Sequence, residues 1–185
     1  MPALSWTEIR QRAIQFSRDW TEVSREDAEA QTFWNEFFHV FGMKRRQVAS
    51  FEERVKSIKG QHRIDLFWKG KLLAEHKSRG EDLTKATSQA FNYIQELIND
   101  GRQDECPRYV AISDFATIVL YDLEPEEADG SADRPDPHRA ERDAQRYQRL
   151  EIPVAEFHKH IKHFAFVAGL KTQRLREQDP ANLEA

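Results

Sequence analysis

A single cysteine, Cys106, stands in 185 residues. That excludes a disulfide framework and any zinc site built on thiolates, and it suits a reducing compartment. No apolar run approaches the roughly 20 residues that cross a bilayer, and the amino terminus lacks the charged-then-apolar layout of a signal peptide. The expectation is a soluble, cytoplasmic protein with no membrane partner. Glycine is sparse, with 7 in the chain, and no glycine-rich cofactor loop is present. Positive charge is not in excess either: the formal net charge is −4, which argues against a nonspecific coat for nucleic acid.

Aromatic residues are there in number, with 4 Trp and 12 Phe, enough for one sizeable core and one compact domain with appendages. The charge is unevenly spread. Between Gly42 and Lys85 there are 12 Lys or Arg against 6 Asp or Glu, so this stretch carries +6 and the remainder −10. Phosphate binding needs a local positive surface rather than a positive total. A solvated charged face is the plainer explanation of the same pattern.

The basic stretch contains Arg63 to Arg79, RIDLFWKGKLLAEHKSR, which reads as a β-hairpin. Ile64, Leu66 and Trp68 alternate with Arg63, Asp65 and Phe67, and Leu72 to Lys77 follows after Lys69-Gly70-Lys71. Glu75 and Lys77 share a face of a strand, because side chains repeat every two residues. Nine residues separate Asp65 from Glu75. The two acids lie opposite each other only if the loop has an odd number of residues centred on Gly70; a two-residue Lys69-Gly70 turn would pair Asp65 with Ala74 and put the acids on opposite faces. A three-residue connection with Gly70 at positive φ, or an equivalent bulge, is therefore expected. Two carboxylates and an ammonium at one spot would make a metal site with a catalytic lysine.

Around the hairpin the chain divides readily. Ser5 and Glu8 form a capping box for a helix over about 5–20, and Ser24 and Asp27 open a second helix whose stripe of Phe33, Phe37, Phe38 and Phe41 ends at Gly42. Glu26, Glu29 and Glu36 on that helix are possible further acids for the site, against the commoner role of solvated or capping acids. Over Lys44 to Lys59, Phe51, Val55 and Ile58 fit a helix whereas Phe51, Glu53, Val55 and Ser57 fit an edge strand, and a strand leading into the hairpin is the favoured reading. Asp82 caps a long helix closing at Gly101, with Leu83, Ala86, Ala90, Ile94 and Leu97 buried and Lys85, Gln89 and Tyr93 on the adjoining face. Strands follow at Tyr109–Ile112 and Thr117–Tyr121, then an insertion over 124–146 poor in apolar residues and expected to be flexible. Tyr147 to Ile152 returns as a short strand. A helix from Pro153 then buries Val154, Phe157, Ile161, Phe164 and Val167 and stops at Gly169. His158, His160 and His163 do not align on one face of such a helix. A domain is expected over 1–152, with 1–42 as two amino-terminal helices, and a helical segment and connector over 153–185.

Taken alone, Glu75-x-Lys77 says little, since chance gives about one Glu-x-Lys in a chain of this composition and one is present. The apolar strand, the register-compatible Asp65, the basic surroundings and the following helix with Gln89 and Tyr93 give it weight. The plainer alternative is a hairpin whose surface charges pair across strands.

With Asp65 and Glu75-His76-Lys77, the hairpin resembles the PD-(D/E)xK nuclease signature, with Ile64 where a proline often stands. Gln89 to Tyr93 resembles the QxxxY element of RecB-like nucleases. Residues 5 to 122 resemble the amino-terminal endonuclease domain of MmeI-like type IIL restriction-modification enzymes. The likeness runs through Ser5-Trp6, Phe37 to Gly42, Val48 to Glu52, Asp65 to Trp68, Lys77 to Gly80 and Pro107 to Val110. Ala165 to Gly169 and Gln178-Asp179-Pro180 resemble the start of that family's helical connector.

The resemblance implies an α/β fold: a restriction-endonuclease-like core, αβββαβ, with a mixed central sheet flanked by helices and extra helices at both ends. It implies hydrolysis of double-stranded DNA with Mg²⁺, for which Mn²⁺ can substitute, held by Asp65, Glu75 and the backbone carbonyl of His76. Lys77 would assist the attacking water, and Gln89 and Tyr93 would support the phosphate or the metal site. Lys69, Lys71 and Arg79 are candidate contacts to the DNA backbone. Methyltransferase and target-recognition domains would lie downstream in a parent enzyme, and the module could dimerise on DNA. The alternative is a catalytically inactive, nuclease-like module that binds DNA or a partner.

Overall fold

The computed structural model of the chain describes residues 3–23, 26–57, 60–123 and 147–170. The expected insertion over 124–146 and the connector beyond 170 lie outside the described residues. Helices α1 (Trp6–Asp19) and α2 (Glu26–Val40) come first. Strands β1 (Ser50–Ser57), β2 (Gly60–Trp68) and β3 (Leu72–His76) precede helix α3 (Leu83–Asn99). Strands β4 (Tyr109–Ser113), β5 (Thr117–Asp122) and β6 (Gln148–Pro153) complete the sheet. The capping box forms: the Glu8 N–H donates to Ser5 Oγ at 3.2 Å, and the Ser5 N–H donates to the Glu8 carboxylate at 2.8 Å. No helix among the described residues is long and apolar enough to cross a membrane.

The six strands lie in the order β1-β2-β3-β4-β5-β6. Every neighbouring pair is antiparallel except β3 and β4. That parallel pair requires a crossover, and α3 supplies it. Both faces of the sheet are covered. On one, α1 and α2 pack their aromatic stripes over Leu66, Leu72, Ala74, Ala111, Ile118 and Leu120. On the other, α3 packs Ala86, Ala90, Phe91, Tyr93 and Leu97 over Ile64, Phe67, Leu73, Val110, Ile112 and Val119. Strands β3 and β4 are buried along their whole length, as expected of central strands covered on both sides.

The stretch from Lys44 does not begin as strand: Arg45–Gln47 is a 3-10 turn and the strand starts at Ser50. Two larger features also depart from the expectations. The segment after Pro153 is not one α-helix but two 3-10 helices, Val154–Lys159 and Ile161–Ala168, broken at His160. Val154 and Phe157 are three residues apart, as are Ile161, Phe164 and Val167, and a period of three keeps each set on one face. The break absorbs the extra residue between the sets. Both segments bury these residues in the cluster with α1 and α2. One 3-10 turn also brings the His160 and His163 rings to 6.3 Å.

The second departure is in the hairpin strands. Ile64 and Leu66 should share a face, yet Ile64 packs with α3 and Leu66 with α1 and α2. Phe51 and Val55 on β1 divide in the same way. Between them the ladder runs from Phe51↔Leu66 to Glu53↔Ile64, skipping Glu52 and Asp65, and Glu52 has φ +52°. Both strands roll over at this point. Their outer halves curl around α3, and Asp65 stands at the reversal.

The β2–β3 connection is Lys69-Gly70-Lys71, with Leu66↔Ala74, Phe67↔Leu73 and Trp68↔Leu72 as cross-strand pairs. Gly70 takes φ +71°, which lets the Lys71 N–H donate to the Trp68 carbonyl at 2.9 Å. A Cβ at Gly70 would meet nothing within 4 Å, so the backbone angle alone sets the effect of a substitution. Gly70→Ala is expected to lower stability by about 1 kcal/mol, read from denaturant melts.

Candidate active site

Continuing the β2–β3 register one step beyond Leu66↔Ala74 brings Asp65 level with Glu75. Side chains fill the end of the ladder. The Asp65 N–H donates to Glu75 Oε1 at 3.3 Å, and the His76 N–H donates to Asp65 Oδ2 at 2.8 Å. In an extended strand the N–H and C=O of one residue point to the same edge, so the His76 carbonyl also faces the Asp65 side. Glu75 follows Leu73 on the face covered by α3 and is 1 % exposed.

The two acids are hard to ionise together. Burial raises Asp65 above the usual carboxylate range, while the His76 N–H and the Lys77 charge pull it down. Burial and then the Asp65 charge push Glu75 up to about 9. A cation between the acids would relieve both effects, and carboxylate oxygens are the hard donors that Mg²⁺ takes. Among the described residues no group of three or more His, Cys, Asp and Glu side chains could hold a metal ion. The oxygen donors at this point are two carboxylates and, at the strand edge, the His76 main-chain carbonyl, which are hard donors in kind but fewer than a full Mg²⁺ shell.

Beyond Glu75 the strand turns its next inward side chain to the same helix. The Lys77 ammonium donates to Gln89 Oε1 at 3.4 Å, and Gln89 Nε2 donates to the Tyr93 hydroxyl at 2.6 Å. Lysine can only donate, so the Gln89 oxygen faces Lys77 and its NH₂ faces Tyr93. Burial, then the Glu75 charge, pushes the Tyr93 phenol up to about 12, so it stays protonated and keeps an O–H to give.

The His76 ring points to the opposite face. It is fully buried, with ring centroids 4.2 Å from Phe115 and 4.9 Å from Phe33, and among the described residues neither ring nitrogen has a hydrogen-bond partner. Burial and then the Lys77 charge push it down to about 3, so the imidazole is neutral. It packs as an aromatic, and only its main chain belongs to the site.

The structure thus brings together Asp65, Glu75, Lys77, Gln89, Tyr93 and the His76 main chain. Lys69 and Lys71 are exposed at the hairpin tip, about 13 Å or more along the strand from Asp65, and Lys69 pairs with Glu105 at 3.2 Å. Arg79 donates to the Val23 and Trp20 carbonyls at 2.7 and 2.8 Å, which fastens the end of α1. Glu36 accepts from the Trp20 indole at 2.8 Å on α2, across the sheet from α3. Glu29 is half-buried on the same helix, and the Glu26 side chain lies outside the described residues. Two groups escape the sequence reading. His62 Nδ1 lies 3.0 and 3.1 Å from the two Glu96 oxygens, and its ring is 6.0 Å from that of Tyr93. The i, i+4, i+7 spacing of Gln89, Tyr93 and Glu96 is the one signal that could have linked them.

The family model for the MmeI N-terminal domain matches residues 11–185. The chain belongs to that family. MmeI is a restriction-modification enzyme, so this MmeI N-terminal domain sits in the context of a restriction system. The match covers every element from within α1 onward, the hairpin and α3 included. No curated protein and no solved structure matches the chain.

Proposed function

We propose that this MmeI N-terminal domain is a PD-(D/E)xK nuclease, a Mg²⁺-dependent type II deoxyribonuclease module of a type IIL or IIG restriction-modification enzyme. The observation that carries the reading is the convergence of Asp65 and Glu75 across the hairpin with Lys77 beside them, held by Gln89 and Tyr93. Asp65, Glu75 and the His76 carbonyl would hold the metal, Mg²⁺ or in its place Mn²⁺. When bound, the ion supplies positive charge at the phosphoryl oxygens and acidity to water. Lys77 orients the attacking water and places a second positive charge where negative charge develops on the phosphorus oxygens. Gln89 fixes the ammonium, and the Tyr93 O–H is available to a phosphate oxygen. The substrate is double-stranded DNA, with dimerisation available; Arg79 and Lys69 have partners within the fold, which leaves the exposed Lys71 as the freer of the three expected backbone contacts. Target recognition and adenine methylation belong to downstream domains of the parent enzyme.

The raised carboxylates give this reading a metal-linked test. Without metal the folded chain keeps a proton on Glu75 that the unfolded chain has lost, in the window from its ordinary 4.5 up to about 9. Stability of the metal-free chain therefore falls as pH rises through that window, by at most about 1.4 kcal/mol per pH unit for one proton. Mg²⁺ must displace the proton, so its affinity rises over the same range. Thermal melts are expected to show a Mg²⁺-dependent rise in Tm that is larger at pH 9 than at pH 6. A rise that is the same at both pH values, or none at either, speaks against carboxylate ligation.

A further inference from the structure

The polar line along α3 continues past the residues used so far. Gln89, Tyr93 and Glu96 recur at the spacing of one helical stripe and each meets the hairpin: Gln89 at Lys77, Tyr93 beside His62, Glu96 on His62. From Gln89 to Glu96 is about 10 Å at 1.5 Å per residue. From His62 to Asp65 is about 10 Å at 3.3 Å per residue. Phosphates of one DNA strand recur every 3.4 Å of helix axis, so the line is longer than one phosphodiester needs.

His62 comes to this line through the roll-over of β1 and β2, which turns Val55 and Ile64 toward α3 as well. An ionised Glu96 can only accept, so the proton on the facing nitrogen sits on His62 Nδ1. The other ring nitrogen, Nε2, has no hydrogen bond among the described residues. The His62 side chain is 40 % exposed whereas Glu96 is 18 % exposed, so the acid forms the back of the pair and the imidazole its front.

We propose that His62, aligned by Glu96, is a DNA-contacting residue whose Nε2–H donates to a backbone phosphate of the strand lying along α3, beyond the phosphate at Asp65 and Glu75. The position of that second phosphate rests on the nuclease reading above. When both ring nitrogens carry a proton, Nδ1–H meets Glu96 and Nε2–H meets the phosphate, and the pair offers that phosphate one charge-assisted hydrogen bond. A pair that only ties the hairpin to the helix would contribute to stability and leave DNA affinity alone.

The test titrates a fluorescent DNA duplex with the full 185-residue chain, in chelator to prevent cleavage, at several salt concentrations. His62→Ala is expected to weaken binding about tenfold and to lower the slope of log affinity against log salt by about one. His62→Gln should restore part of the affinity, because its amide can donate a neutral hydrogen bond, but not the slope. Both variants should melt within about 3 °C of the wild type. Wild-type affinity and slope in either variant overturns the proposal. If His62→Ala melts far lower, the proposal is judged on His62→Gln, whose unchanged slope would overturn it. Should the wild type bind with His62 dependence yet never cut DNA with Mg²⁺, the nuclease reading fails and the phosphate contact stands. Should it cut while both variants bind as it does, the contact alone fails.

Discussion

Lys77→Ala is expected to reduce DNA cleavage by at least about 100-fold while the chain stays folded and still takes up Mg²⁺. The side chain is half-exposed just past the end of β3, and its hydrogen bond to Gln89, the one it makes among the described residues, is long at 3.4 Å. Removing it should change stability by about 0.5 kcal/mol or less. Metal uptake should survive, because an ammonium beside a cation site opposes a second positive charge rather than holding it. Cleavage depends on that same ammonium as the group that holds the water and meets the developing charge. Single-turnover rates on a labelled duplex measure the loss, and calorimetry with Mg²⁺ measures what remains. Cutting at the wild-type rate would remove Lys77 from the chemistry.

Asp65→Ala is expected to eliminate both metal binding and cleavage, a loss of about 1,000-fold or more in rate. Only Glu75 and a main-chain carbonyl remain, too few oxygens to compete with water for Mg²⁺. Glu75 itself should become easier to ionise, since the Asp65 charge is the second cause of its raised pKa after burial. The metal-free chain should therefore lose less stability between pH 6 and 9 than the wild type does. The Mg²⁺-dependent rise in Tm, worth about 2.7 kcal/mol at a hundredfold excess over Kd, should vanish. Undiminished Mg²⁺ binding by calorimetry would take Asp65 out of the metal site.

How the site forms was partly legible in the residues. The odd spacing about Gly70 demanded a three-residue connection, and the structure has it, with Gly70 at φ +71°. Helix α3 was legible from its Asp82 cap, whose carboxylate accepts from the Thr84 N–H at 2.9 Å, and its Gln89 and Tyr93 could be assigned a side. The roll of β1 and β2 at Glu52 and Asp65 was not, because alternation assumes a strand that keeps its face. His62 was missed for the same reason. Charge counting marked Lys69 and Arg79 as candidates for DNA but could not reveal their partners within the fold. Those partners, Glu105 and the Trp20 and Val23 carbonyls, come from distant parts of the chain. The stretch after Pro153 showed its buried residues but not its 3-10 period, since the spacings of three and four fit either helix.

The central claim is that Asp65, Glu75 and Lys77 form one metal-dependent phosphodiesterase site. Its most direct test is relaxation of supercoiled plasmid by the wild-type chain and by Lys77→Ala, each with Mg²⁺ or Mn²⁺ and each with chelator. Nicked or linear plasmid is expected only from the wild type with metal. Intact plasmid in that lane, or equal cutting by Lys77→Ala, would contradict it.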